Sequence, residues 1–343
     1  MYLHSIASHF PAHRFTQAES YSALSQTKSF AKLKRSSQAL LEKILTQGSG
    51  IDSRHFCVSD IAGLVDADAG ELNALFEREG RALAAEAMRK ALKSAGLEAE
   101  ELDALIVCTC TGYLCPGLSS HVAELLGMRS DLYLQDLVGL GCGAAVPALR
   151  SAHGLSAADP SAKIGVIAVE LCSSAFFMDD DPGVLISLCL FGDGASASIW
   201  SGESQKNAWR ASGFQTLHLP EHRDMLRFEN QHGFLRNRLD RKVPELAAQA
   251  VKHLISEAGM DPASVVAHGG GRDVVQALEA VLGGVQLKET REVLREYGNL
   301  SSPSVLVALQ RLLEKGTDRD SLWLTSFGAG FAAHALQLHR NHG

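Results

Sequence analysis

The sequence has no long apolar run. Its longest, Val184 to Phe191, covers eight residues and includes Ser187, far short of the ~20 residues that a membrane-spanning helix needs. The first residues, MYLHSIASHFPAHRF, lack a basic segment followed by an apolar core, so no secretory signal is expected. Basic charge is also scarce. Lys plus Arg is 32 against 39 for Asp plus Glu, a formal charge of −7. That balance argues against a general nucleic-acid binder, which needs a clustered basic face. The chain has no low-complexity segment and no internal repeat of solenoid length. The seven cysteines are odd in number and irregularly spaced, so reduced thiols in a cytoplasmic protein are expected in place of a disulfide framework. Apolar residues make up 46% and charged residues 21% of 343 positions, which supplies a sizeable core and excludes disorder as the default. The length fits two packed halves or one large α/β unit.

From about residue 80 the pattern alternates between helices and short apolar strands, whereas the first 60 residues are the least regular and locally the most basic. Residues 81–96 place Ala84, Ala87, Met88, Ala91 and Leu92 on one helical stripe. Strands are expected at 104–110, 132–138, 163–171 and 195–200, with helices at 117–127 and 142–156 between them. A polar stretch, Gly202 to Asn207, divides this half from a second one. There, helices are expected at 245–258, 272–283, 288–296 and 303–314, and strands at 264–267, 321–326 and 331–338. Such alternation implies a layered α/β architecture with a largely parallel sheet buried on both faces.

Three residues stand at glycine-marked junctions. Cys142 lies in VGLGCGAAVPALR, between an expected strand and an expected helix. A helix N-terminus lowers a thiol pKa and favours the nucleophilic thiolate. The plainer reading is a small buried hydrophobe where helix meets sheet. His268 follows the apolar run ASVVA and precedes Gly269, Gly270 and Gly271, the kind of strand end that carries functional groups on open sheets. It could pair with the thiolate or donate a hydrogen bond, or be one of fourteen histidines on a surface turn. Asn299 lies in EYGNLSSPS, where a turn residue is the plain reading and an amide donor to a developing oxyanion the functional one. A Cys, a His and an Asn together match the general logic of acyl transfer.

The segments TGYLCPGLSSHVAELLG (111–127), GLGCGAAVPALRSA (139–152), VELCSSAFFMDDD (169–181), LFGDGASASIW (190–200), HGGGRDVVQALEAV (268–281), YGNLSSPSV (297–305) and SFGAGF (326–331) resemble type III polyketide synthases, the chalcone synthase-like condensing enzymes. The resemblance runs from about residue 100 to 338 and is weak before that. It implies a thiolase-like layered αβαβα fold of two similar halves, residues 1–205 carrying the nucleophile and 206–343 the His and Asn. By this resemblance Cys142 takes the starter acyl group from a CoA thioester. His268 keeps the thiolate ionised, and Asn299 with His268 supports malonyl-CoA decarboxylation and the resulting enolate. Phe191 falls on a gatekeeper of the reaction cavity, and Asn237, with Phe234 three residues away, on the position of a second one. Cys110, Thr111, Cys172 and Ser174 match cavity-lining positions. Cys115 matches a residue that reaches across a homodimer interface. CoA contact is expected at Gly270 and Gly271 and from the basic cluster of Lys32, Lys34, Arg35 and Lys43, with Lys43 the residue assigned. For this cluster a solvated helix face is the competing reading.

Two features depart from the family. Gly269 stands where a proline is usual, and SFGAG replaces the usual Gly-Pro-Gly ending. Cys108, Cys110 and Cys115 cluster without a local fourth ligand, so no metal is expected. The Asp179–Asp181 run reads as a solvated turn and cap, and Asp193 as structural. The implied activity is an acyltransferase that uses acyl-CoA and malonyl-CoA as substrates, with no resident cofactor, carrier protein, nucleic acid or membrane. The product would be a cyclised pyrone or phenolic compound. The alternatives are a β-ketoacyl synthase III-like enzyme making a single condensation, and a catalytically retired condensing-fold partner.

Overall fold

The computed structural model describes residues 1–204 and 206–342. Among these, the strands are β1 (Tyr2–His9), β2 (His13–Thr16), β3 (Ser53–Phe56), β4 (Ala104–Thr109), β5 (Tyr133–Val138), β6 (Ile164–Glu170), β7 (Gly194–Ser201), β8 (Trp209–His218), β9 (Leu226–Gln231), β10 (Phe234–Leu239), β11 (Val265–Ala267), β12 (Ser321–Gly328) and β13 (Ala332–Arg340). Nine of them form one sheet in the order β11-β12-β13-β8-β1-β7-β6-β4-β5. β4 and β6 are buried along their whole length, as their unbroken apolar sequences require of strands covered on both faces.

The order repeats. In the first half β1, β4, β6 and β7 lie side by side as β4-β6-β7-β1. In the second, β8, β11, β12 and β13 lie as β11-β12-β13-β8, with the same succession of parallel and antiparallel pairs. The halves join where β1 pairs with β8, and β5 has no counterpart. The boundary expected at residue 205 falls between β7 and β8, although Gln205 itself, like Gly343, lies outside the described residues.

Only the β4–β5, β4–β6 and β11–β12 pairs are parallel, which corrects the expectation of a largely parallel sheet. β12 and β13 are joined by residues 329–331 alone, too few for a parallel crossover. β1 and β8, which the sequence pattern did not mark, also pair antiparallel. The first 60 residues are likewise regular in the structure: β1 and the helices Gln17–Leu24, Lys28–Lys32 and Arg35–Thr46 all fall there.

Three apolar cores separate the layers. The first lies under the helix Arg81–Ala95, whose stripe of Ala84, Ala87, Met88 and Ala91 is fully buried as its spacing predicts. The third gathers the helices Val243–Ala258 and Arg272–Val281 over β11 and β12. Between them, the helices Ala145–Ala158 and Ser304–Lys315 form the central layer. Ala144, Ala145, Ala148 and Ala152 keep the first of these helices thin enough to touch strands of both halves. This is the αβαβα layering. It brings the carboxyl ends of β4, β6, β11 and β12 to one place, where loops carry functional side chains.

Candidate active site

Cys142 sits in a single 3-10 turn, Gly141–Gly143, between β5 and the central helix Ala145–Ala158. The chain can turn so tightly because Gly139 and Gly141 take φ of +83° and +57°, a region glycine enters without steric cost. From the second half, Gly328 at the end of β12 presses its backbone onto this turn. A Cβ there would stand 2.5 Å from Gly143 N and 2.9 Å from Cys142 N.

The Cys142 side chain is nearly enclosed. Burial pushes its thiol up to about 12, a hydrogen bond from Ser301 pulls it back, and the carboxyl of Glu170 raises it further. The expectation of a thiol acidified by the helix is therefore corrected for this state. The sulfur is removed from water, and the α-helix proper begins three residues on, at Ala145.

His268 follows β11 directly, its backbone N–H bonded to Thr325 O at 2.9 Å. Its ring meets Phe327 edge-on at 5.1 Å. Burial holds the imidazole down to about 4, so it is neutral at pH 7. Its Nδ1 is buried without a hydrogen-bond partner among the described residues. A Cβ on Gly270 would lie 3.4 Å from His268 Nε2, and the carbonyl of the same Gly270 accepts a hydrogen bond from Asn299 Nδ2 at 2.9 Å. Asn299 Oδ1 accepts from Ser301 N at 2.8 Å, and Ser301 Oγ donates to Cys142 Sγ at 3.2 Å. The three candidates are thus linked through Gly270 and Ser301. No direct hydrogen bond joins Cys142 and His268 among the described residues.

An apolar cavity opens at the Cys142 sulfur, and its wall includes Cys110, Thr111, Cys172, Phe191, Asn237 and Ser301. His268 and Asn299 are not part of that wall. They approach Cys142 from the side of Phe327 and Gly270. Ser174 stands behind the wall, its hydroxyl donating to Thr111 O and Leu171 O. Phe191 caps the helix Pro182–Leu190 and bridges to Asn299, which ties the expected gatekeeper to one of the three candidates. Asn237 is buried and donates to Ser187 Oγ at 3.0 Å, while Phe234 packs on Phe177, a residue of the cavity wall, without itself lining the cavity. A polar side chain therefore occupies position 237, where the resemblance leads one to expect the second gatekeeper. Lys43 is exposed on the helix Arg35–Thr46. The loop after that helix is held against the glycine turn, because Arg272 Nη1 donates to Gly48 O at 2.8 Å. Cys115 is exposed in the loop before the helix Leu118–Leu126.

Two residues that sequence reasoning passed over organise this site. Glu170 ends β6 fully buried. It accepts from Cys110 N and Thr111 Oγ1 at 3.0 Å and from Ser302 Oγ at 2.6 Å. Burial raises its pKa, against the pull of these donors. Ser301 Oγ lies 3.2 Å from both Glu170 Oε1 and Cys142 Sγ. A hydroxyl has one proton, so it serves either neighbour and can relay a proton between them. The signal was a lone carboxylate ending the apolar run KIGVIAVE.

Arg54 is the other, a guanidinium with no exposure and no ion pair among the described residues. Its Nη1 donates to Leu188 O and Phe191 O at 2.7 and 3.0 Å, and its Nε to Gln17 Oε1 at 3.0 Å. The acidic run Asp179–Asp181 is more than a solvated turn. Asp181 caps the helix Pro182–Leu190, and Asp179 and Asp181 both hold Arg236 on β10. Asp193 is structural in effect, accepting from Ser173 and from Cys57 N.

Fold and site together define a thiolase-fold condensing enzyme. The FAE1/type III polyketide synthase-like family matches residues 1–261, and the C-terminal domain of chalcone and stilbene synthases matches residues 214–340. The chain belongs to the type III polyketide synthase family, and the match reaches the first 100 residues, where the motifs are weak. A 3,5-dihydroxyphenylacetyl-CoA synthase of Streptomyces toyocaensis is 34% identical over 254 residues, 69% of this chain and 65% of that protein, just under two thirds of its length. A 1,3,6,8-tetrahydroxynaphthalene synthase of Streptomyces peucetius subsp. caesius is 29% identical over 347 residues, 96% of this chain and 90% of that protein. The crystal structure of 1,3,6,8-tetrahydroxynaphthalene synthase from Streptomyces coelicolor A3(2) superposes with a TM-score of 0.89 at 26% identity, covering all of both chains. These comparisons favour the polyketide synthase over the single-condensation alternative.

Proposed function

We propose that this chain loads an acyl group from an acyl-CoA thioester onto Cys142, extends it with malonyl-CoA, and releases a cyclised pyrone or phenolic product. The observation that carries this reading is the linkage of Cys142, Asn299 and His268 through Ser301 and Gly270, at the end of an apolar cavity. In loading, the thiol gives up its proton, sulfur attacks the thioester carbonyl, and CoA departs as a thiol carrying a proton. A neutral imidazole is in the state needed to accept a proton. In extension, malonyl-CoA loses CO2, and the electron pair of the broken C–C bond becomes an enolate. Asn299 spends one amide hydrogen on Gly270 O and has a second for the enolate oxygen, with an imidazole N–H as a second donor. The enolate carbon then attacks the acyl group on sulfur. A C–C bond forms, the C–S bond breaks, and Cys142 is freed.

Several narrower assignments belong to the same reading. Lys43, Gly270 and Gly271 contact CoA, supported by the Arg272–Gly48 bond that brings the end of the Lys43 helix to the glycine turn. Residues 1–205 and 206–343 act as the two halves of the catalytic unit, one bringing the nucleophile and the other His268 and Asn299. The working form is a homodimer joined through the free edge of β5. Of the five exposed large hydrophobic residues of the described chain, Tyr133, Leu134 and Val138 lie on that strand and Leu125 on the helix Leu118–Leu126 packed against it, while Tyr113 shares a loop with Cys115. The protein works in the cytoplasm without a resident cofactor, a metal or a carrier protein. All seven cysteines are free, and no described helix is long and apolar enough to cross a membrane.

Mass spectrometry of products from malonyl-CoA and a panel of short, aromatic and long-chain acyl-CoAs tests the reading. Products carrying two or more added C2 units support it. CO2 release without a condensed product, or a strict need for malonyl on a carrier protein, contradicts it.

A further inference from the structure

The cavity beside Cys142 lies between two walls that no shared sheet holds together. One wall is the helix Pro182–Leu190, which contributes Val184, Ser187 and Leu188, and the other is the hairpin of β9 and β10, which contributes Leu226, Phe228 and Asn237. β9 and β10 form a two-stranded sheet of their own, and an isolated hairpin is marginal in water. Its place is therefore set by contacts with the body of the protein. The space between the walls is narrow, about 50 Å3, so a small displacement of either one changes it by a large fraction.

Successive side chains of a strand point to opposite faces, and β10 is gripped on both. On the cavity side, Asn237 donates to Ser187 Oγ at 3.0 Å, and a Cβ on Gly183 would stand 2.6 Å from Leu239 O, so backbone meets backbone there. On the far side stands Arg236, 8% exposed and outside the cavity wall. Its Nε donates to Asp179 Oδ2 at 2.8 Å and its Nη2 to Asp181 Oδ2 at 3.0 Å, with Glu229 Oε2 at 3.5 Å from Nη1. The other oxygen of Asp181 caps the helix, accepting from Gly183 N at 2.8 Å. One carboxylate thus joins the start of the helix to the hairpin. Arg238 Nη1 also reaches Asp181 Oδ2, at 3.1 Å, but its side chain is 43% exposed, and an exposed pair contributes little. We infer that Arg236, held by Asp179 and Asp181, is a positioning residue that fixes the spacing of the two walls and so limits the number of extensions, an inference that rests on the extension chemistry proposed above. A planar guanidinium engages two carboxylates at once in a fixed geometry, which an ammonium does not reproduce.

Mass spectrometry of the products from malonyl-CoA and the best-loaded acyl-CoA of the panel, with intact-protein mass to read loading, tests the inference in Arg236→Gln, Arg236→Lys and Asp179→Asn. Asp179→Asn keeps an oxygen for Asp181 N, which Asp179 Oδ1 accepts from at 2.9 Å, and loses the charge. Loading on Cys142 should be unchanged. The ratio of heavier to lighter products should rise about fivefold in Arg236→Gln, rise likewise in Asp179→Asn, and fall back part of the way in Arg236→Lys. Arg236→Gln and Asp179→Asn combined should shift the ratio little further than either alone, because both remove one interaction. Effects that multiply in the double variant would assign both to general loosening and overturn the inference. Should Arg236→Gln fail to fold, Asp179→Asn at its partly exposed position decides. Normal loading with an unchanged ratio, or with a shift toward lighter products, overturns the positioning role and leaves the extension chemistry intact. Absence of loading or of extended products in the unsubstituted chain overturns that chemistry itself, and the inference with it.

Discussion

Cys142 and its neighbours present the central chemical problem of this site: a proposed nucleophile in surroundings that oppose its ionisation. The thiol is pushed up to about 12 and His268 down to about 4, both mainly by burial. The resting pair is therefore thiol and neutral imidazole. Alkylation of Cys142 by iodoacetamide should then rise about tenfold per pH unit between pH 7 and 9 without a plateau, because the thiolate fraction is still climbing. A plateau below pH 8 would show a preformed thiolate–imidazolium pair. Ser301→Ala removes the hydroxyl proton that eases thiolate formation, so alkylation and acyl loading should both slow, by about tenfold if one hydrogen bond of ordinary net strength is lost. In the cavity wall, Asn237→Phe exchanges a buried amide bonded to Ser187 for an aromatic ring. The smaller cavity should shift products toward fewer extensions, read by mass spectrometry as loss of the heavier species while loading persists.

The helix Pro182–Leu190 shows how an element carries the site. Asp181 and Pro182 start it, Arg236 ties its first turn to β10, and Arg54 accounts for two carbonyls at its far end, where Phe191 begins. Arg54→Met fills much of the volume but leaves those carbonyls and Gln17 Oε1 without their donor. Each buried unpaired acceptor costs about 1–3 kcal/mol, so chemical denaturation should show a loss of several kcal/mol at most, offset in part by no longer burying a charge. The same variant should alter product lengths, since it loosens Phe191. Loss of stability with an unchanged product profile would assign Arg54 to folding alone. This clamp was invisible in the sequence, where Arg54 reads as one more basic residue of an irregular segment. Elements with strong periodicity were legible: the buried stripe of Arg81–Ala95 and the wholly apolar β4 and β6 fall where their patterns place them. β1, whose serines and histidines interrupt its apolar residues, was not. Its burial comes from β7 and from the helix above it, contacts that lie far away in sequence. Likewise Glu170 takes its meaning from donors on two separate segments, 109–111 and 301–302, which no local pattern reveals. Cys142, His268 and Asn299 could be singled out in advance as candidates because each sits at a glycine-marked junction and inside a family motif.

At the scale of the molecule, two copies of one strand topology meet at β1 and β8 and bring Cys142 from one half to His268 and Asn299 of the other. The one feature of the first half without a counterpart, β5, is the edge that gathers the exposed apolar residues. An unprotected apolar edge invites strand pairing. Replacing Leu134 and Val138 together with lysine should convert a dimer to a monomer in sedimentation velocity, and a monomeric parent protein would contradict the proposed assembly. The account stands or falls on covalent chemistry at a single sulfur. Intact-protein and peptide mass spectrometry after rapid mixing with an acyl-CoA tests it most directly. The predicted result is a mass gain equal to the acyl group on the peptide containing Cys142, absent in Cys142→Ala, which also forms no extended product. Condensed product from Cys142→Ala, or acylation confined to another residue during turnover, would contradict the account.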